Sequence, residues 1–396
     1  MKKPAILGGE PAFKEPLHVG RPNLPDRKVF DRYVDRIFDS RWLTNNGPLV
    51  REFQEKLEEY LQVKHVIPVC NGTIALELAE RALGFEKEVI LPSFTFIATA
   101  HSLQWQQITP VFADIGKNDV TIAPNSIRKL LTPNTTGIIG VHVYGNPCDY
   151  IEIDKIAKEK NLKVLYDAAH AFGNEVNGIP IANLGDASVF SFHATKFFNT
   201  FEGGAIATND SNLAEQLRLM TNFGFAGGVL DQVNYLGVNG KMIEISAAMG
   251  LSMLAAIEHV RHRNRQNFEA YREAFSQIEG LGLIEAPIQM TKHNWQYVIV
   301  KVDENRFGLS RDSLVNALRK ENIYVRRYFY PGCHRMYPYR EYFPNAHMFL
   351  PITDQLTEQV VAFPTGQAID LQEILAIAEC IKRISSSLSS AKLDSE

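Results

Sequence analysis

The sequence predicts an α/β fold, with a mainly parallel sheet covered by helices on both faces. Three observations predict it. Short apolar runs alternate with helical periods from about residue 50 to 210. Each run is nearly continuous in apolar residues, as in strands buried on both faces. Several runs end in a polar cluster, where open α/β sheets hold their ligands.

The elements follow in order. VREFQEKLEEYL (50–61) puts Val50, Phe53, Leu57 and Leu61 on one helical face. KHVIPVC (64–70) is a strand, and TIALELAERAL (73–83) is a helix ending before Gly84. EVILPSFTF (88–96), with Pro92 as its stop, and PVFADI (110–115) are strands. TTGIIGVHVYG (135–145) is a buried strand ended by Gly145, and DYIEIDKIAKEKN (149–161) an amphipathic helix. LKVLYDAAHAFG (162–173) runs from strand into a polar turn, and DASVFSFHATK (186–196) from strand into Lys196. Lys241 to about Glu279 reads as one long helix. It bridges a large domain (1–250, with an N-terminal arm) and a smaller C-terminal α+β domain (251–385). The smaller unit takes NWQYVIVKV (294–302), a helix at 310–322, IYVRRYF (323–329) and a final helix at about 370–386. The polar tail 386–396 is expected to fray.

Composition bounds the function. The chain has 396 residues, 45% hydrophobic and 22% charged, as in an ordinary globular protein. A net charge of −4 with a pI near 6.3 advertises no face for nucleic acid or an anionic membrane. No apolar run approaches the roughly 18 residues of a membrane span. Cys70, Cys148, Cys333 and Cys380 form no CxxC pair, which predicts reduced thiols in a cytoplasmic protein and no metal site.

Four strand ends carry candidate chemistry. Asn71-Gly72-Thr73 opens a helix, where free N–H groups suit an anion, although a simple N-cap reads equally well. Asp167 follows an apolar strand and needs a cationic or N–H partner, with His170 three residues on. Phe96 offers a plate for a planar ring. Ser191 precedes Lys196, which stands among Phe192, His193, Phe197, Phe198 and Phe201. Either that lysine snorkels, or these rings wall a desolvated amine. An anion cradle, an acid, an aromatic plate and a desolvated lysine together match pyridoxal 5′-phosphate (PLP). Neither a P-loop nor a GxGxxG motif after a strand competes.

LTNNGP (43–48), CNGTIAL (70–76), LPSFTFIAT (91–99), YDAAHAFG (166–173), SFHATKFFNTFEGGAI (191–206) and NGKMIEISAAMGL (239–251) form an ordered set. With these motifs, residues 20–380 resemble the DegT/DnrJ/EryC1/StrS sugar aminotransferases, PLP enzymes of the aspartate-aminotransferase-like fold type I. LTNNGP, the lysine loop and RRYFYPGCH (326–334) look most like the VioA-type dTDP-4-amino-4,6-dideoxyglucose transaminases.

The resemblance implies transamination of a nucleotide-linked 4-keto-6-deoxyhexose by L-glutamate, in amino-sugar and polysaccharide biosynthesis. It implies that Lys196 binds the cofactor covalently and moves the proton, while Asp167 pairs with the ring nitrogen. His170 would lie near the ring hydroxyl, Phe96 would stack, and Gly72, Thr73 and Ser191 would hold the phosphate. Asn239 would reach the phosphate from the partner in a homodimer with shared sites. Trp42, Thr44, Asn45 and His193 are candidates for the sugar side. One of Arg326 and Arg327 would meet a diphosphate, since neighbours on a strand face oppositely. Glu202 sits in the Glu-Gly-Gly turn. The alternatives are a 3-keto sugar, a non-catalytic PLP-binding regulator, a dehydratase (whose members carry histidine in place of Lys196) and a desulfurase using Cys333, read here as an ordinary thiol.

Overall fold

The computed structural model describes residues 3–393 apart from 118 and 227–230, so residues 394–396 of the tail lie outside the described residues. Seven apolar runs form the large sheet: β1 (His65–Val69), β2 (Glu88–Pro92), β3 (Thr109–Ala113), β4 (Thr135–Val141), β5 (Lys163–Asp167), β6 (Ala187–Ser191) and β7 (Gly204–Thr208). Their spatial order is β1-β7-β6-β5-β4-β2-β3. Strands β6, β5, β4, β2 and β3 pair in parallel. Strand β7 alone runs antiparallel, inserted between β1 and β6. Gly204 opens it because a side chain there would strike the backbone of Asn71 and Phe190 at 2.8 Å.

This topology decides where chemistry sits. The six like-directed strands end together at Val69, Pro92, Ala113, Val141, Asp167 and Ser191. Residues 70–73, 93–99, Asp167 and the lysine loop therefore share one edge. The helix Gly72–Ala82 covers one face of the sheet, with Leu76 and Leu78 in the core under it. The helix Pro48–Leu61 covers the other, with Phe53 and Leu57 fully buried.

The helix Glu244–Ser276 joins two cores. Ala247, Met253 and Val260 pack under the large sheet, whereas Phe268, Tyr271 and Phe275 pack in the C-terminal core. That core lies on an antiparallel sheet of β8 (Leu281–Leu283), β9 (Val298–Val302) and β10 (Val360–Phe363), in order β8-β9-β10.

Several boundaries differ from the sequence reading. The N-terminal arm, grouped there with the large domain, lies on the C-terminal unit. Leu17–His18 pairs with Ile323–Tyr324, and Leu17 enters the C-terminal core. The strand expected over 135–145 stops at Val141, because Tyr144 takes a left-handed conformation. By contrast, the strand begun at Glu88 stops at Pro92 as expected, and the Ser93 carbonyl beyond it accepts from Cys333 N–H at 3.0 Å. The final helix continues to Leu393 instead of fraying from 386, since no Gly or Pro interrupts it and Leu388 packs on the C-terminal core.

Candidate active site

At the carboxyl edge of the sheet opens a cavity of about 390 Å³. Gly72, Thr73, Phe96, Asp167, His170, Ser191, His193, Lys196, Glu202 and Arg326 all line it. The fold thus gathers most of the residues singled out in the sequence.

One wall comes from strand ends. Strand β5 delivers Asp167, buried at its base. Its Oδ2 accepts from Thr99 Oγ1 at 2.8 Å and its Oδ1 from Ala169 N–H at 3.1 Å. Thr99 spends its proton on Asp167, so Thr95 donates to Thr99 across their 2.9 Å contact. Burial pushes the Asp167 carboxyl above its ordinary value, against the hydrogen bonds from Ala169 and Thr99 and the nearby Lys196 amine. Among the described residues two donors meet a carboxylate that has about four acceptor positions, leaving it able to take a cationic N–H.

Strand β6 delivers Ser191, and the turn after it delivers Lys196, whose backbone N–H donates to the His193 carbonyl at 2.9 Å. Among the described residues the Lys196 amine has no hydrogen bond or ion pair. Burial lowers it below its ordinary value, and Asp167 and Tyr328 oppose the shift. A lowered amine is the form that acts as nucleophile and proton carrier near neutral pH.

The helix Gly72–Ala82 closes this wall. Asn71 caps it, accepting from Ile74 N–H at 2.9 Å. The N–H groups of Gly72 and Thr73 have no acceptor among the described residues. A Cβ on Gly72 would lie 3.0 Å from Ser191 Cβ and 3.3 Å from its Oγ. A side chain there would crowd Ser191, whereas glycine leaves Ser191, two free N–H groups and Thr73 together on the cavity lining. That cradle suits a phosphate.

The aromatic residues of the opposite wall were missed in the sequence, though Arg326 was not. Tyr297, Tyr328 and Phe329 line it, together with Arg326. Tyr328 and Phe329 sit in the RRYFYPGCH stretch, whose aromatic density was a usable signal. Thr99 was missed too, although Thr95 and Thr99 stand four residues apart at a helix start.

The structure corrects the reading of the lysine's neighbours. Phe192, Phe197 and Phe198 do not wall the amine. They are buried in the core behind it, where Phe198 stacks on Phe172 at 4.5 Å and meets Phe192 edge-on at 5.0 Å. Phe201 is half exposed and also outside the cavity. Tyr328 shares the cavity lining with Lys196 instead.

Other expected residues separate. Arg326 lines the cavity and donates to Tyr328 Oη at 3.0 Å. Arg327 turns away to Asp312 at 3.2 Å and lies over the Tyr330 ring, which removes it from this cavity. Trp42, Thr44, Asn45 and Asn239 lie outside the cavity of their own chain. The Trp42 indole donates to the Thr44 carbonyl, and Asn239 bridges to Asn222 on the surface. Cys333 is fully buried, with Sγ donating to the Thr95 carbonyl and burial raising its thiol to about 12, which excludes it as a nucleophile.

The DegT/DnrJ/EryC1/StrS aminotransferase family model matches residues 26–382. A dTDP-4-amino-4,6-dideoxy-D-glucose transaminase of Shigella dysenteriae is 43% identical, over 81% of this chain and 86% of its own. A transaminase of the same description from Escherichia coli is 36% identical over 92% and 98%. The crystal structure of DesI with its TDP-sugar product superposes with a TM-score of 0.93, at 42% identity over 98% of both chains.

Proposed function

The chain belongs to the DegT/DnrJ/EryC1/StrS aminotransferase family, and we propose that it moves an amino group from L-glutamate to C4 of dTDP-4-keto-6-deoxyglucose, using PLP. The observation that carries this reading is the convergence of a depressed amine, a buried carboxylate and a glycine-opened N–H cradle in one cavity. The two transaminases and the TDP-sugar complex named above support the choice of substrate.

When bound, PLP supplies an aldehyde carbon and an electron-withdrawing ring. The residues present fit it. Gly72, Thr73 and Ser191 would hold its phosphate, Asp167 its ring nitrogen, and Phe96, half exposed at the cavity, one ring face. Asp167, already short of donors, is brought back towards ionisation by a cationic N–H. With PLP held there, Lys196 would take up and return the proton at the substrate carbon, since its lowered proton affinity leaves it able to accept one. Tyr297, Tyr328 and Phe329 exclude water on the far side, and Arg326 offers a fork to a diphosphate oxygen.

A homodimer with shared sites belongs to this reading. Trp42, Leu43, Val238 and Ile243 are apolar yet 46%, 66%, 41% and 46% exposed, which a second copy would cover. They flank Thr44 and Asn45, candidates for the sugar side, and Asn239, which would reach the phosphate of the partner's site. No helix among the described residues is long and apolar enough to cross a membrane. The unpaired cysteines suit a reducing cytoplasm.

The test is a panel. Protein loaded with PLP and glutamate is offered dTDP-, UDP- and GDP-linked 3- and 4-ketosugars, and products are identified by NMR. The 4-amino product from the dTDP-4-keto sugar is expected to dominate. Preference for a 3-keto sugar or another nucleotide would overturn the substrate assignment.

A further inference from the structure

Beside the cavity, Tyr144 is strained in a way the transaminase reading leaves unused. Its φ is 58° and its ψ 11°, a left-handed conformation rarely taken by a bulky residue. Such strain persists only where the surroundings over-determine it, and it gathers at functional sites.

The surroundings of Tyr144 are specific. Its backbone N–H donates to His170 Nδ1 at 3.1 Å. Its hydroxyl donates to the Tyr328 carbonyl at 2.9 Å. Its ring lies within 4° of parallel to His170, with centroids 6.3 Å apart, and within 4° of Phe329 at 5.9 Å. Phe94 meets both Tyr144 and Phe329 edge-on. Asn294 Nδ2 anchors the His170 carbonyl at 2.9 Å. Tyr144 is buried and outside the cavity, whereas His170, Tyr328 and Phe329 line it.

A backbone N–H can only donate, so His170 Nδ1 must be bare, and a neutral imidazole then carries its proton on Nε2. Nε2 has no partner among the described residues, and His170 lines the cavity. Burial, with the Lys196 amine adding to it, holds the imidazole well below its ordinary value and so neutral.

We propose that Tyr144 is a positioning residue, fixing His170 as the Nε2–H tautomer that donates a hydrogen bond into the cofactor cavity and tying the Tyr328–Phe329 wall to the same unit. The acceptor this donor fits is an anionic or carbonyl-type oxygen on a planar ring. The inference rests on the transaminase reading for what occupies the cavity, but the tautomer is a property of the chain itself.

The experiment is long-range ¹H–¹⁵N NMR of histidine-labelled protein, with and without PLP, and His170 assigned by its loss in His170→Gln. An unprotonated Nδ1 and a protonated Nε2 are expected in both forms. A protonated Nδ1, or an imidazolium, overturns the proposal. Gln presents its amide near the place of Nε2 and Asn near that of Nδ1. His170→Gln is therefore expected to retain at least about tenfold more glutamate half-reaction than His170→Asn, the scale of one well-placed hydrogen bond. Equal activities would overturn the donor role. Tyr144→Phe should raise the sugar-nucleotide KM about 2- to 10-fold and change the glutamate half-reaction less, while the His170 spectrum stays that of the parent. An unchanged KM would overturn the tie to the wall. If the ring shows the Nε2–H form but no ketosugar is aminated, the substrate assignment fails and the positioning role stands.

Discussion

The two walls of the cavity are built differently. The sheet wall holds Gly72, Asp167, Ser191 and Lys196, each within five residues of a strand end. The opposite wall holds Tyr297, which precedes β9, Arg326, which is bridged to Ala362 of β10, and Tyr328 and Phe329 in the turn that follows. Strand ends are fixed by hydrogen bonds on both sides, so the sheet wall can hold reacting groups to a set geometry. Beyond the backbone pair of Arg326 with Ala362, the opposite wall is held by ring packing and by side-chain bonds such as Tyr144 to Tyr328, a construction suited to shaping a substrate. On this account the sheet wall serves both half-reactions and the far wall mainly the sugar.

The largest expected effect is on the sheet wall. Lys196→Ala should lower both half-reactions by about 10⁴-fold or more, because a covalent group and a proton carrier are lost together. Stopped-flow absorbance with glutamate alone and then with the ketosugar reads the two separately. Loss of only one half-reaction would break the comparison. Asp167→Ala should cost about 10²–10³-fold in both, the scale of an unpartnered buried charge. A near-normal rate would remove Asp167 from the mechanism.

Gly72→Ala should weaken PLP binding by about 1.5–3 kcal/mol, the range for a hydrogen bond to a charged group, measured by equilibrium dialysis. Retained affinity would show that Ser191 gives way. On the far wall, Arg326→Ala should raise the sugar-nucleotide KM about tenfold and leave the glutamate half-reaction near parent. Arg327→Ala should leave both alone, costing about 0–1 kcal/mol of stability through its half-exposed pair with Asp312. A reversed ranking of the two arginines would mean that the far wall is misplaced.

Asp167 also gives a pH test on the cofactor-free protein. Its carboxyl is raised in the fold, so its ionised form is the disfavoured one. The penalty is absent below the unfolded value near 3.8 and appears as pH rises. Cofactor-free Asp167→Asn should therefore melt no lower than the parent at neutral pH, and its advantage should vanish by about pH 4. A lower melt at neutral pH would show that the carboxylate is stabilising as it stands.

The same contrast explains what the sequence discloses. Asp167 and Ser191 were legible because an apolar run switches to a polar residue where the strand ends. Gly72 was legible only in company, because alone the Asn71-Gly72-Thr73 turn reads as a simple helix cap. The far wall was not, since nothing local to Tyr297 or Tyr328 says which sheet edge it will face. Phe192, Phe197 and Phe198 show the reverse error. Nearness in sequence suggested walls, but the tight turn after β6 sends those rings into the core while Lys196 faces out of it. For Arg326 and Arg327, strand alternation foresaw that one would point to the site, but only the Asp312 pair identifies which. Trp42, Thr44, Asn45 and Asn239 do not line this cavity.

The central claim is that one amine, Lys196, holds the cofactor. Borohydride reduction of the PLP-loaded protein, followed by peptide mass mapping, tests it directly. A single pyridoxyl label is expected, on the peptide containing Lys196. A label on another lysine, such as Lys241, or no label at all, would contradict it.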